Sequence, residues 1–118
     1  MSKCLRHTDR AELDTAARHG LDIVVLLGND AAWGIDKNIQ LGLYGKAVIT
    51  DLAPARYDLV AQGLGAHGEL VERPEQLVPA LERALAAGRP ALLNIALQSQ
   101  ISMRAQGIVD SRKKGGAF

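Results

Sequence analysis

Aromatic side chains are scarce in this sequence: Trp33, Tyr44, Tyr57 and Phe118 are all it has. A core must therefore be built from Leu, Val, Ile and Ala, within an apolar content of 47%, and such side chains suit helices packed on a sheet. Cysteine occurs once, at Cys4, which excludes a disulfide framework and a thiolate metal cage. His7, His19 and His67 are scattered without ligand spacing. Charge of either sign is not in excess, with 14 Lys and Arg against 13 Asp and Glu, so there is no electrostatic case for nucleic acid or a membrane surface. No apolar run approaches a membrane span and the N-terminus has no signal-like apolar region, so the expectation is a cytoplasmic protein. At 118 residues the chain is long enough for one domain with a real core, and not comfortably two.

Periodicity supplies the elements. Residues 1–8 show none and are expected to be irregular. Asp9 and Glu12 read as an acidic capping box for a short helix to His19, with Gly20 as its C′ residue and Leu13, Ala16 and Ala17 on its apolar side. Asp22–Leu27 is a continuously apolar strand, the pattern of a strand covered on both faces in a parallel sheet. Residues 28–52 read as one long loop, rich in turn glycines and asparagines. A helix is expected over Pro54–Leu64, with Tyr57, Val60, Ala61 and Leu64 inward, then a short strand over His67–Val71. The next helix spans Pro74–Ala87, with Leu77, Leu81, Ala84 and Leu85 inward and Pro79 forcing a kink or a restart, and a strand over Ala91–Leu97 follows. Helices alternating with apolar strands predict an α/β fold, a three-layer α/β/α parallel sheet with right-handed crossovers. Residues 98–118 turn polar and basic, and 103–118 read as a solvated tail or a frayed helix, leaving 9–97 as the domain.

The chemistry concentrates in LLGNDAAWGI, residues 26–35. Ligands gather at the carboxyl ends of strands in open parallel sheets, and Asn29 and Asp30 follow such a strand directly. Asp30 is a hard oxygen donor and Asn29 can donate and accept; with loop carbonyls they could hold Mg²⁺ beside a phosphate, while Ala31 and Ala32 allow close backbone approach. The plain alternative is that Asn-Asp after a strand starts a turn. Elsewhere, Arg18 and His19 read as complements to a helix dipole and His67 as structural. Lys37, Tyr44 and Lys46 read as solvated or substrate-side loop residues, and Glu69, Glu72 and Glu75 as surface charge. Arg112-Lys113-Lys114 is too short a run for nucleic acid.

The stretches AELDTAARHGL (11–21), NDAAWGI (29–35), TDLAPARYDLVAQGLGAHGELVERPEQL (50–77) and PALERALAAGRPALLNI (79–95) together resemble the C-terminal, diphosphate-binding domain of thiamine-diphosphate-dependent enzymes. The nearest group is acetolactate synthase-like and 2-hydroxyacyl-CoA lyase-like. The resemblance implies a partial Rossmann-like thiamine-diphosphate-binding domain with thiamine diphosphate and Mg²⁺ as cofactors, in a C–C carboligase or decarboxylase (a transferase or lyase) acting on 2-keto acids or acyl-CoA. In that family a GDG triplet opens a metal motif closed by Asn-Asn. Carried over, Asn29 matches the first Asn, Asp30 replaces the second as a metal ligand, and the Ala32 carbonyl is the further ligand. Asn29, Asp30, Ala31 and Ala32 would contact the cofactor, with Trp33 and Gly34 lining its channel.

The GDG aspartate, roughly 27 residues earlier, would fall at Ser2-Lys3-Cys4, where a protonated lysine has no lone pair for Mg²⁺. The resemblance therefore implies a domain fragment that is incomplete alone. It calls for homo-oligomerisation or for a chain supplying the pyrimidine-binding domain, whose glutamate activates the cofactor. The alternative is a catalytically inactive α/β module acting by self-association or partner binding, for which an uncovered sheet edge and apolar helix faces would be the means.

Overall fold

The computed structural model describes residues 12–115 and divides into two compact units: 12–29 with 56–97, and 30–55 with 98–115. The expected capping residue Asp9, the expected irregular residues 1–8 and the Ser2-Lys3-Cys4 segment lie outside the described residues.

The first unit carries the sheet. Helix α1 (Glu12–Arg18) is followed by strand β1 (Val24–Asn29), helix α3 (Tyr57–Gly63), strand β2 (His67–Val71), helix α4 (Leu77–Leu85) and strand β3 (Ala91–Ala96); helix α2 (Gly34–Tyr44) belongs to the second unit. The strands are all parallel in the order β1-β3-β2, with Leu26 opposite Leu93 and Glu69 opposite Leu93 from the other side. From β1 the chain crosses over β3 to reach β2, then steps back to β3. Right-handed crossovers in opposite directions put their helices on opposite faces. That is what side-chain parity shows. Ala91, Leu93 and Ile95 of β3 pack with Val24, Val71 and the α4 residues Leu77, Ala80, Leu81 and Ala84. Leu92 packs on the other face with Val25, Leu27, Leu13 of α1, and Tyr57 and Ala61 of α3. The α/β/α layering expected from the alternation is present.

Close approach is made possible by Gly68. A Cβ there would lie 1.9 Å from the Asp58 backbone oxygen, so α3 rests directly on β2 only because the side chain is a hydrogen. Gly20 ends α1 in the left-handed region at φ 61°, the C′ position expected for it.

Several expectations are corrected. β1 runs two residues further than expected, so Asn29 is its last residue and not part of a loop. It is an edge strand of the described sheet, and Leu26 is 53% exposed, because α4 packs on β3 and β2. Helix α3 starts at Tyr57, three residues after Pro54, and Val60 faces outward. A 3₁₀ turn at Pro74–Gln76 precedes α4, which restarts at Leu77. The restart puts Pro79 in the first turn, where a missing N–H costs nothing. Leu85 is exposed and Ala80 takes the inward place.

In the second unit the expected long loop contains an eleven-residue helix, α2 (Gly34–Tyr44), closed by Gly45 with its N–H on the Leu41 carbonyl. The expected solvated tail contains helix α5 (Met103–Gly115), whose Ala105 and Val109 are buried. A Cβ on Gly42 would lie 2.7 Å from a Val109 methyl, so α5 sits closely against α2. Among the described residues, no helix is long and apolar enough to cross a membrane.

Candidate functional site

At the carboxyl end of the sheet, in the first unit, the final residue of β1 is tied into a chain of polar side chains. Leu27 pairs with Asn94 in register, and Asn29, two residues on, projects from the same face. The Asn29 side-chain amide donates from Nδ2 to Asn94 Oδ1 at 3.2 Å. Asn94 Nδ2 donates to Asp58 Oδ1 at 3.3 Å. The Arg56 guanidinium closes the chain, with Nε 2.9 Å from Asp58 Oδ1 and a terminal nitrogen 2.6 Å from Oδ2. Asn94 and Asp58 are each 1% exposed, while the Arg56 side chain is half in solvent. Burying a carboxylate is costly unless it is paired and hydrogen-bonded, and here it is both. The Arg56 hydrogen bond holds the Asp58 carboxyl below the usual carboxylate range. Burial opposes this, and the Asn94 amide supports it. The same contact raises Arg56.

The sequence reading missed Asp58, Asn94 and Arg56. The available signals were an Asp in the first turn of a helix and an Asn inside the apolar strand ALLNIA, where a polar residue demands a partner.

In the second unit, Asp30 opens a tight turn. Its Oδ1 accepts the Ala32 N–H at 3.2 Å, and Ala31 sits in the left-handed region at φ 50°. Ala32 then forms an antiparallel bridge with Asp51. The flanking bonds run from Leu52 N–H to the Ala31 carbonyl and from Trp33 N–H to the Thr50 carbonyl, both at 2.8 Å. These bonds use one edge of the extended backbone. The N–H and C=O of an extended residue share an edge, so the Ala32 carbonyl lies on the side to which its own N–H meets Asp30. Asp30 Oδ2 is close enough to Gly34 that a Cβ there would come within 2.2 Å of it. Trp33 is half exposed, and the buried Thr50 hydroxyl has no hydrogen-bond partner among the described residues.

The turn reading holds at Asp30, whose side chain accepts the Ala32 N–H and so makes the turn. Among the described residues, no group of three or more His, Cys, Asp and Glu side chains could hold a metal ion. The available donors are one carboxylate and neutral carbonyl oxygens. That set fits Mg²⁺ retaining water and phosphate ligands, and does not fit a softer metal held wholly by side chains.

The remaining candidates fall elsewhere. Lys37 is in α2, paired with Asp51, Tyr44 ends that helix, and Lys46 is exposed. Arg18 bonds to Asp14 one turn earlier in α1. Glu69, expected to be plain surface charge, is only partly exposed and is held by Arg83 and by His67 at 3.3 Å. The Arg83 bond, then the weaker His67 bond, lower its carboxyl against the effect of burial.

A doubly wound parallel sheet defines a class of α/β domain whose ligands gather at the carboxyl ends of the strands. Within that class, residues 4–95 match the family described as thiamine pyrophosphate enzyme, C-terminal TPP binding domain, and the chain belongs to that family. It is similar to the acetolactate synthase large subunit of Mycobacterium tuberculosis, 48% identical over 85 residues, which covers 71% of this chain and 16% of that protein. It is also similar to 2-hydroxyacyl-CoA lyase 2 of Caenorhabditis elegans, 38% identical over 90 residues, covering 71% of this chain and 14% of that one. Sulfoacetaldehyde acetyltransferase of Castellaniella defragrans is 28% identical over 78 residues, covering 65% and 13%. The chain therefore spans about a sixth of the length of the first two relatives.

Proposed function

We propose that this chain provides the thiamine-diphosphate- and Mg²⁺-binding part of an acetolactate synthase-like carboligase or decarboxylase acting on 2-keto acids or acyl-CoA. The observation that supports this best is the turn directly after β1, in which the Asp30 carboxylate accepts the Ala32 N–H. Asp30 and Ala32 would be the metal ligands. Asn29 and Ala31 would contact the cofactor, and Trp33 and Gly34 would line its channel. When bound, thiamine diphosphate supplies an electron sink for breaking or forming a C–C bond. The protein's share is to hold the diphosphate through the metal and to orient the cofactor. The Ala31 and Trp33 backbone bonds fix the Asp30 turn, which supports giving its side chain that work.

On this reading the family's first metal-binding Asp would fall near Ser2-Lys3-Cys4, where there is no acid, and these residues would offer half of the metal clamp. We infer that they do not turn over substrate by themselves. The partner this reading calls for is a chain bringing the pyrimidine-binding domain, or further copies of this one, in the cytoplasm.

Titration with thiamine diphosphate, with and without Mg²⁺, tests the reading through the fluorescence of Trp33, the only tryptophan. A saturable, Mg²⁺-dependent change that disappears in Asp30→Ala is expected. No change at millimolar cofactor overturns it.

A second reading, a non-catalytic module that self-associates, draws on the place of β1 at the edge of the described sheet, where Leu26 is 53% exposed. Sedimentation over a wide concentration range tests it. A monomer throughout would remove it.

A further inference from the structure

A buried ion pair is a weak source of stability, because the cost of taking two charges out of water offsets most of their attraction. What such a pair supplies is direction. The Asp58 side chain is 2% exposed and both of its oxygens are engaged. Oδ1 accepts from Arg56 Nε at 2.9 Å and from Asn94 Nδ2 at 3.3 Å, and Oδ2 accepts from Arg56 Nη2 at 2.6 Å. A guanidinium is planar and rigid, so bonding along its Nε–Nη2 edge fixes the whole group. Nη1 and the outer N–H of Nη2 remain, and they make no hydrogen bond to the described residues. The bonded edge faces a buried carboxylate, so the part of the side chain that meets solvent, 52% of it, carries the other edge. The N–H groups of that edge run parallel, in the fork that matches two oxygens of a carboxylate or a phosphate.

We propose that Arg56 is an oxyanion-binding residue, held in place by Asp58 and offering its outer fork to a carboxylate or a phosphate. Its place suits that work. Arg56 leads into α3 at the carboxyl end of the sheet, where the ligands of open parallel sheets gather. Plain neutralisation of Asp58 would use only the bonded edge, and the two roles differ in whether an added anion is bound at all. One charge opposes the anion: exposed Glu72, just after β2, acts on Arg56 through space with no ion pair to it. Identifying the oxyanion as the carboxylate of a 2-keto acid, or as a phosphate of an acyl-CoA, rests on the functional reading above. The binding itself does not.

In the whole chain, the ¹⁵N-¹H signals of Arg56 Nε and of the Tyr57 backbone amide are followed by NMR while pyruvate or inorganic phosphate replaces chloride at constant ionic strength. A saturable movement of both signals is expected with at least one of the two anions. Methyl pyruvate, which keeps the keto group and lacks the charge, should move neither. A preference for pyruvate assigns the fork to a carboxylate, and a preference for phosphate assigns it to a phosphate group. No saturable movement with either anion overturns the proposal, as does an equal movement with methyl pyruvate.

Variants are read from the Tyr57 amide. Arg56→Gln should abolish the saturable movement. Arg56→Lys, which keeps the charge and loses the fork, should weaken binding about tenfold. Asp58→Asn should weaken it about tenfold as well, by leaving the guanidinium unheld. Should Asp58→Asn fail to fold, Arg56→Lys carries the test, since that side chain is half in solvent. Glu72→Gln removes the opposing charge and should tighten binding about twofold. An unchanged affinity in Arg56→Gln or in Glu72→Gln would place the anion elsewhere and overturn the assignment. If thiamine diphosphate with Mg²⁺ leaves Trp33 fluorescence unmoved while pyruvate or phosphate moves Arg56, the cofactor reading fails and the oxyanion site stands. The opposite result overturns the oxyanion site and leaves the cofactor reading in place.

Discussion

The peptide bond between Asn29 and Asp30 separates two ways of holding a backbone. On the Asn29 side, β1 is hydrogen-bonded along β3, its Val25 and Leu27 pack on α1 and α3, and its last side chain is bound to buried Asn94. On the Asp30 side, order comes from one side-chain-capped turn, a single-residue bridge and two flanking backbone bonds. The helix that follows, α2, has no buried residue. A catalytic scaffold needs the first kind of support to deliver its groups, and it leaves the second kind where a ligand must be admitted. The protection of amides from hydrogen exchange should follow this division, with β3 slowest and the amides of Trp33 and Leu52 much faster.

The largest effect should come from the sheet side. Leu93 is fully buried in the central strand against α4. Leu93→Ala should cost about 4 kcal/mol, measured as a lowered urea midpoint, because the surrounding β-strands cannot close the cavity. Gly68→Ala comes next, at about 3 kcal/mol, since the new methyl meets backbone and not a flexible side-chain end. The matching position in the second unit is Gly42, where the neighbouring atoms are the methyls of Val109, which can rotate. Gly42→Ala should therefore cost clearly less than Gly68→Ala. Equal losses would contradict the difference in support.

The sheet was readable because its signal is dense: the apolar runs at 23–27 and at 91–97, the second broken only by Asn94, leave no other use for the residues, and all three expected strands are present. The two helices of the second unit were not readable, for a physical reason. α5 buries only Ala105 and Val109, two side chains one turn apart in a mostly polar segment, and its close fit depends on Gly42, more than sixty residues away. α2 carries Gly34, Asn38 and Gly42, which read as turn residues, and its Ile35 and Leu41 are exposed, so no inward stripe marks it. The Asp30 turn was visible as chemistry because its residue types are distinctive. The Asn29–Asn94–Asp58–Arg56 chain was not, because its members lie on three elements and only the sheet register brings them together.

Acid should act on the sheet side more than on the turn. The folded-state pKa of Asp58 is lowered, so its contribution to stability is fully present above the unfolded carboxylate range, near pH 4, and is lost as pH falls through the folded value. Glu69, also lowered by its Arg83 bond, contributes in the same direction. Stability measured by urea unfolding should be level from pH 7 to about 5 and decline below about 4. Asp58→Asn should remove about 2 kcal/mol at neutral pH, the worth of hydrogen bonds to a buried charge, and should flatten part of that decline. An unchanged acid slope in this variant would show that Glu69 and other carboxylates carry it.

The smallest expected effect lies in the second unit and has the opposite sign. Ile49 has φ 58° and is 94% exposed, so a β-branched residue occupies the left-handed region with no packing to compensate. That conformation costs an L-residue about 1–2 kcal/mol, and asparagine tolerates it best among the non-glycine residues. Ile49→Asn should therefore raise stability by about 1 kcal/mol, seen as a higher melting temperature. Its neighbour Thr50 receives the Trp33 N–H, so the strain sits beside the strand that supports the Asp30 turn. If the conformation at 49 is held for the sake of that turn, Ile49→Asn should leave Mg²⁺-dependent thiamine diphosphate binding unchanged, because asparagine keeps the same backbone angles. Ile49→Pro, which cannot adopt a positive φ, should weaken that binding. Equal binding in all three proteins would separate the strain at Ile49 from the turn and make it a local property of an exposed residue.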